Sequence, residues 1–366
     1  MKVVQVLPAL DGGGVERGTL EIAKGLVDAG HESIVLSAGG RMVAQLETEG
    51  STHVTWDLGS KSPLTFRHVW ALRRWLMREK PDILHLRSRL PAWVCWFAWK
   101  GLPESERPHL VTTVHGLYSV SRYSAIMCRG ERVIAVSRTV RDYIHENYPE
   151  TDRKRVRVIY RGVDPEEFPY GYRPSAEWLD QWHRMYPQLQ NSKVLTLPGR
   201  LTRLKGHHDF IGLIKRLRDT GSPVQGLVVG GEDPKRKGYA REIRERIARE
   251  GLEDSIVLTG ARQDIREVFA VSDLVLSLST KPESFGRTVV EALTMGVPVI
   301  GYDHGGVGEV LGQLYPQGRV PMADADALDQ AVRTSLDSAQ PRPRNDRFLL
   351  DDMIQQTLAS YQELTQ

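Results

Sequence analysis

Short apolar runs alternate with segments in which apolar residues return every three or four positions, and this alternation continues for most of the chain. Runs of four to six apolar residues bounded by polar ones suit strands buried on both faces, whereas the 3.6-residue period suits helices lying on a sheet. In the first half the runs predict strands at Lys2–Val6, Ser33–Ser37, His53–Asp57, Asp82–Leu86, Leu110–His115, Arg132–Ser137 and Arg157–Tyr160. Helical patterns lie between them, among them Glu16–Ala29 and Phe66–Glu79. A second series gives strands at Val194–Leu197, Gly226–Val229, Ser255–Thr259, Asp273–Ser277 and Pro298–Gly301. Strands that alternate with helices build parallel sheets, so the expected class is α/β with two doubly wound, Rossmann-like domains facing across a cleft.

The stretch Gly162–Gln190 is rich in proline and aromatics and interrupts the alternation, which makes it the expected linker. The expected domains are residues 1–165 and residues 190–345. A Pro/Arg/Asp-rich stretch, 340–346, precedes a last helical pattern from Phe348 to Thr365, and the helix over 347–366 is free to pack back on the first domain. A length of 366 residues suits two domains of ordinary size.

Composition changes this picture little. With 40% hydrophobic and 26% charged residues the chain reads as globular, and its longest apolar stretches, such as Ala92–Trp99, fall short of a membrane span. The first ten residues run into a glycine loop and read as a strand rather than a signal peptide. Cys95 and Cys128 make neither a disulfide framework nor a zinc site and fit a reducing compartment, so a cytoplasmic location is expected. Charge is more informative. The net charge is +3, yet Lys61–Arg161 holds 20 Lys/Arg against nine Asp/Glu. Such an excess suits an anionic partner or a solvated basic surface.

Three segments carry candidate chemistry. Asp11-Gly12-Gly13-Gly14 follows the first strand and opens a helix, where glycines let backbone N–H groups approach a ligand. It is not a dinucleotide fingerprint, because Arg17 stands where the third glycine would be; a plain tight turn is the alternative. Pro198–Gly206 ends the first strand of the second series and presents Arg200 and Lys205, five residues apart, as a fork and a point charge for a diphosphate. Thr280–Leu293 follows another strand. Its helix starts near Gly286, so N–H groups at Gly286, Arg287 and Thr288 form an anion site, with Glu283 before the helix and Glu291 inside it. The apolar neighbours Val289, Val290, Ala292 and Leu293 imply that Glu291 is buried and therefore needs a partner. Asp324-Ala325-Asp326 has the look of a metal-binding pair but stands at a helix start, where capping is expected.

These segments together resemble the GT-B-fold retaining glycosyltransferases of family 4. The resemblance rests on Glu283 and Glu291 spaced eight apart within E-x-F-G, E-A-L and G-V-P-V-I, on G-R-L-…-K-G at Arg200 and Lys205, and on the glycine turn at Gly12–Gly14. It rests also on the strand end at His115, on Thr259-Gly260 with Asp264-Ile265, and on Gly305-Gly306. It implies a nucleotide diphosphate sugar as co-substrate, UDP-sugar in first place, with no cofactor and no metal. Arg200 and Lys205 would clamp the diphosphate, Glu291 the ribose, and Glu283 the transferred sugar. Gly14, Arg262, Phe285, Gly286, Arg287 and Thr288 would complete the donor site, and His115 would meet the sugar near the reacting carbon.

The string R-S-R-x-P-A-W at Arg87–Trp93 resembles bacterial enzymes of lipopolysaccharide core and related surface glycans. It implies an acceptor, a glycan or glycolipid, held by Gly13, Arg17, Arg87 and Arg89, and peripheral contact of Trp70, Arg73, Arg74, Trp75 and Arg78 with the anionic inner membrane. Two other classes remain open at this point: a nucleotide-sugar epimerase on the same fold, and a binding module without catalysis. Nucleic acid is not an expected partner, since no recognition motif accompanies the basic excess.

Overall fold

The structure is a computed structural model and describes residues 1–232, 237–337 and 342–366; residues 340–341 of the Pro/Arg/Asp-rich stretch lie outside them. The chain forms two compact units, Met1–Gly162 with Leu350–Gln366, and Val163–Leu349.

The first unit is built on a seven-stranded parallel sheet of order β3-β2-β1-β4-β5-β6-β7. Its strands are β1 (Lys2–Val6), β2 (Glu32–Ser37), β3 (Thr52–Thr55), β4 (Ile83–Leu86), β5 (His109–Val114), β6 (Arg132–Ala135) and β7 (Val156–Val158). Helices α1 (Gly14–Asp28), α2 (Val43–Thr48), α3 (His68–Glu79), α4 (Arg89–Lys100) and α5 (Arg138–Asn147) connect them. The last helix of the chain, α13 (Leu350–Thr365), belongs to this unit. Its Met353 and Tyr361 join Val3, Ile22, Leu26, Ile83, Val111 and Ile134 in one core on the face that α1 also covers.

The second unit has a six-stranded parallel sheet of order β10-β9-β8-β11-β12-β13. The strands are β8 (Lys193–Pro198), β9 (Val224–Val229), β10 (Ile256–Gly260), β11 (Leu274–Ser277), β12 (Val299–Tyr302) and the two-residue β13 (Arg319–Val320), which no apolar run foretells. Its helices are α6 (Ala176–Met185), α7 (His207–Asp219), α8 (Lys237–Arg249), α9 (Ile265–Ala270), α10 (Arg287–Thr294), α11 (Gly305–Leu314) and α12 (Ala325–Asp337).

The stretch expected as a linker is part of this unit. Trp178 and Trp182 form one face of α6, stacked at 4.9 Å, and Tyr186, four residues on and just past the helix end, packs edge-on to Trp182 at 4.7 Å. Trp182 is buried against Leu227, Val229, Val257 and Val268, so truncating it to alanine should cost about 3–5 kcal/mol. Aromatic bulk here makes a core, not a loop.

Candidate active site

Each sheet has one place where the strand order reverses direction, and loops leaving the carboxyl ends of the two strands there diverge to leave a ligand site. In the second unit that place is between β8 and β11, which pair in parallel register through Leu195 and Leu274. The loop after β8 carries Arg200 and Lys205; the loop after β11 carries Glu283. Their meeting therefore follows from strand order rather than from sequence spacing.

The two loops are fastened together. Thr280 N–H donates to the Leu204 carbonyl at 2.9 Å. Gly206 sits at φ +71°, and a Cβ there would stand 2.0 Å from the Leu278 carbonyl oxygen, so only glycine permits this approach. Lys205 Nζ then donates to Glu283 Oε1 at 2.7 Å, with the two side chains 29% and 25% exposed. The Ser279 hydroxyl donates to the same carboxylate oxygen. Burial opposes ionisation of Glu283, but the Lys205 ammonium and the Ser279 hydroxyl outweigh it and hold the carboxyl below its ordinary range. Glu283 is thus a fixed anion that accepts hydrogen bonds, not a proton donor.

Helix α10 begins one residue after Gly286, which brings no side-chain cap of its own, and the dipole at this helix N-terminus favours an anion. Glu291 is 5% exposed, and its partner is Arg287 one turn earlier, Nε to Oε1 at 3.0 Å. Thr288 is half-buried in the same turn. Phe285 is buried instead, its ring edge-on to Phe348 at 5.5 Å, so it supports the loop from within. Gly306 presses α11 against this loop: its N–H donates to the Glu283 carbonyl at 2.7 Å, and a Cβ there would meet the Phe285 backbone. His304 Nε2 donates to the Ser279 carbonyl at 2.7 Å, which places the ring proton on Nε2.

Arg200 is exposed and, among the described residues, has no ion-pair partner. Arg262 is committed. Its Nε and NH2 reach the two oxygens of Asp264 at 2.7 and 2.5 Å, and its guanidinium lies 5.1 Å over the Trp182 ring. Asp324 accepts from the N–H groups of Asp326 and Ala327, at 3.2 and 2.9 Å, which is a helix cap. Among the described residues no group of three or more His, Cys, Asp and Glu is placed to hold a metal ion.

In the first unit the order reverses between β1 and β4. The glycine loop follows β1: Gly12 has φ +146°, Gly13 caps α1 without a side-chain bond, and Gly14 opens the helix. Arg17 lies one turn in, 3.4 Å from Glu21. Arg41, which sequence spacing does not single out, folds over Gly12 and donates to the Asp11 carbonyl. Arg87 follows β4 and is only 3% exposed, its NH1 donating to Gln5 of β1 at 2.6 Å. Burial lowers its guanidinium to about 10. Arg89 is half-buried, over the rings of Tyr118 and Tyr123 and bonded to Ser124 at 3.0 Å.

His115 follows β5. Its Nδ1 accepts from Arg161 NH2 at 2.7 Å, and its Nε2 is buried with no partner among the described residues. A guanidinium only donates, so the imidazole proton is on Nε2. Burial first, then Arg161 and Arg87, push its pKa well below the ordinary range. His115 is therefore a neutral donor aimed from Nε2. Arg161 has no sequence signal; it stands 46 residues from His115, where the chain leaves β7.

Both halves match known sequence families. The profile of Glycosyltransferase Family 4 matches residues 12–167, and that of Glycosyl transferases group 1 matches residues 180–347. A solved glycosyltransferase from Rickettsia africae is 30% identical and superimposes with a TM-score of 0.87 over 99% of this chain and 98% of that one. The chain belongs to glycosyltransferase family 4. Its fold is GT-B, shared with Anabaena Alr3699/HepE, solved with UDP and glucose, at a TM-score of 0.84, 22% identity and coverage of 99% and 100%. N-acetyl-alpha-D-glucosaminyl L-malate synthase of Bacillus anthracis is 26% identical over 320 residues, 83% of this glycosyltransferase and 79% of that protein. Among the described residues of the glycosyltransferase, no helix is long and apolar enough to cross a membrane.

Proposed function

We propose that this glycosyltransferase moves a sugar, with retention of configuration and without a metal, from a nucleoside diphosphate sugar to a glycan acceptor. UDP-sugar is the favoured donor, and lipopolysaccharide core or a related bacterial surface glycan the favoured acceptor. The observation that carries the donor reading is the Lys205–Glu283 pair beside the N-terminus of α10. Breaking the bond between sugar and diphosphate leaves negative charge on the diphosphate. Arg200, Lys205 and the N–H groups of Gly286, Arg287 and Thr288 would hold that charge in place. Glu283 would accept hydrogen bonds from the sugar hydroxyls and Glu291 from the ribose, with backbone near Arg262 at the base. His115 would donate from Nε2 to the transferred sugar. HepE, of the same fold, is solved with UDP and glucose, which supports UDP as the first nucleotide to try.

The acceptor reading rests on the R-S-R-x-P-A-W string and the basic first half. Gly13, Arg17, Arg87 and Arg89 would hold the acceptor, with Arg87 acting from below the surface because it is buried. A glycolipid acceptor would bring the enzyme to the inner face of the membrane from the cytoplasm.

The test is a thermal-shift panel of UDP, GDP, ADP and dTDP with their sugar nucleotides, followed by turnover of the best donor with the product's anomeric configuration read by NMR. Stabilisation by one nucleotide and retention in the product support the proposal. Free epimerised sugar nucleotide formed without acceptor, or no stabilisation by any nucleotide, overturns it.

A further inference from the structure

In the first unit the surface formed by α3, α4 and the turn before them is unusual in what it leaves exposed. Leu64 is 68% exposed, Trp70 66%, and Phe66 and Phe97 about 40%. Trp75, five positions on from Trp70, is buried in the core and takes no part, contrary to the expectation that both tryptophans share a membrane face. Exposed Phe66 and Phe97 run on into the half-buried Trp93 and Trp96. Phe66 meets Phe97 at 5.9 Å, and Phe97 meets Trp93 and Trp96 at 5.7 and 5.2 Å.

Cations lie on these rings: Arg73 on Trp70 at 4.8 Å, Lys100 on Trp96 at 5.0 Å, and Arg129 on Trp96 at 4.8 Å. The sequence holds no Asp or Glu from Lys61 to Arg78, nor from Arg87 to Pro103. Beside Trp96 a cavity of about 700 Å³ opens, lined by Val120, Ala125, Arg122, Arg129 and Arg155 among others. Two carboxylates, Glu150 and Asp152, also line it, and Asp152 is engaged in bonding the Lys154 N–H at 2.9 Å.

We propose that this strip and its cavity are a docking site for an anionic phospholipid surface. Phe66, Trp70 and Phe97 enter the headgroup region, the arginines meet lipid phosphates, and the cavity beside Trp96 receives acyl carbon from one lipid. Aromatic rings with an apolar body and a cationic rim fit the interface between water and acyl chains, and contiguous exposed apolar surface marks an interaction site. Charge decides the occupant. Arg78 is paired with Glu79 at 3.0 Å, but cations outnumber carboxylates along both stretches, so an anionic headgroup layer is attracted there, whereas a second copy of this chain would bring like charges together. The inference deepens the membrane contact of the proposed function and rests on that part of it alone.

The experiment is sedimentation of the full chain with vesicles of phosphatidylcholine containing phosphatidylglycerol, and with phosphatidylcholine alone. Binding to the mixed vesicles should exceed binding to the neutral ones by about tenfold or more and fall with added salt. The double variants Trp70→Ser/Phe97→Ser and Arg67→Glu/Arg74→Glu should each weaken it about tenfold or more; melting should be unchanged in the arginine pair, which is exposed, and should fall by only a few degrees in the aromatic pair, where Phe97 gives up its ring contacts. Brominated acyl chains should quench tryptophan emission less in Trp96→Phe. Equal binding to both vesicles, unaltered binding in either double variant, quenching independent of Trp96, or lipid-free dimers broken by Trp70→Ser/Phe97→Ser would each overturn the proposal. Nucleotide binding measured on the same samples separates the two readings: its failure with vesicle binding intact removes the donor assignment only.

Discussion

Separating Lys205 from Glu283 should divide donor binding into two parts that respond differently. The two side chains are about a quarter exposed, between surface pairs, worth roughly 0.2–1 kcal/mol, and buried pairs, which cost roughly 3–5 kcal/mol to break. Removing either partner should therefore cost about 1–2 kcal/mol of stability, a loss of a few degrees in Tm that leaves the protein folded at room temperature. Ligand affinity should change more selectively. On the proposed assignment Lys205→Ala would remove a charge-assisted hydrogen bond to the diphosphate, worth about 1.5–3 kcal/mol, so UDP and UDP-sugar should both bind about ten- to a hundredfold more weakly.

Glu283→Ala acts in the opposite sense on the nucleotide. It releases the Lys205 ammonium from its carboxylate, so UDP should bind as well as in the wild type or more tightly. The sugar loses its hydroxyl acceptor, so the gain of UDP-sugar over UDP should disappear, and turnover should fall about a hundredfold or more. Glu283→Gln should sit between the two. Calorimetric titration of UDP and of the UDP-sugar chosen from the panel, with urea unfolding of each variant, measures every term. Equal tenfold weakening of UDP and UDP-sugar by Glu283→Ala would refute the reasoning, as would near-normal turnover at saturating donor.

Three further outcomes follow from the same geometry. Gly206→Ala forces a left-handed backbone onto a Cβ that meets the Leu278 carbonyl; it should lose about 3 kcal/mol or more in urea unfolding and take Lys205 out of place. His115→Ala should lower kcat/KM about tenfold or more, while kcat/KM of the wild type should show no limb from His115 near the ordinary histidine pH of 6.5, since burial and Arg161 hold the ring neutral there; a limb near that pH that vanishes in the variant would contradict the neutral assignment. His85 and His115 are both held neutral, chiefly by burial, so the unfolded chain binds protons that the folded one refuses once the pH falls below the ordinary 6.5. Stability is then unaffected above that pH and should fall by about 1 kcal/mol for each histidine between pH 7 and 5.5, measured by denaturant midpoints; a flat profile over that window would contradict it.

Strands were legible because parallel sheets bury both faces, so β1, β5, β8 and β12 are buried along almost their whole length and read as mainly apolar runs with few polar interruptions. The two-residue β13 carries no such run. The segment 162–190 misleads because proline and aromatics look like loop chemistry, although the four-residue spacing of Trp178, Trp182 and Tyr186 already states a helix face. Trp70 and Trp75 show the same rule in the other direction. Five residues turn a helix through about 140° beyond a full turn, so only one of them can face the core. Of the site, Glu291 was legible as a buried carboxylate in need of a partner, and Arg287 supplies it. The Lys205–Glu283 contact was not legible from spacing: 78 residues separate them, and only the adjacency of β8 and β11 brings them together. Ser279 and His304 were missed for the same reason, since their roles exist only once the loop closes on α11.

The pairings also say something about selectivity. At the second unit's switch point Lys205 is held by Glu283 and Arg287 by Glu291, and after the edge strand β10 Arg262 is held by Asp264, while Arg200 is exposed and, among the described residues, without an ion pair. A ligand that recruits Lys205 must compete with a carboxylate already 2.7 Å away. A single phosphate competes poorly for a cation held in that way, whereas a diphosphate can engage Arg200 first and then draw on Lys205 and the N-terminus of α10 together. In the proposed donor complex the sugar would compensate the displaced carboxylate by presenting hydroxyls to Glu283 in place of the ammonium. On the proposed assignment, diphosphate and sugar would stabilise one another's binding through the same two side chains, so nucleoside monophosphates and free sugars should each bind far more weakly than the intact donor.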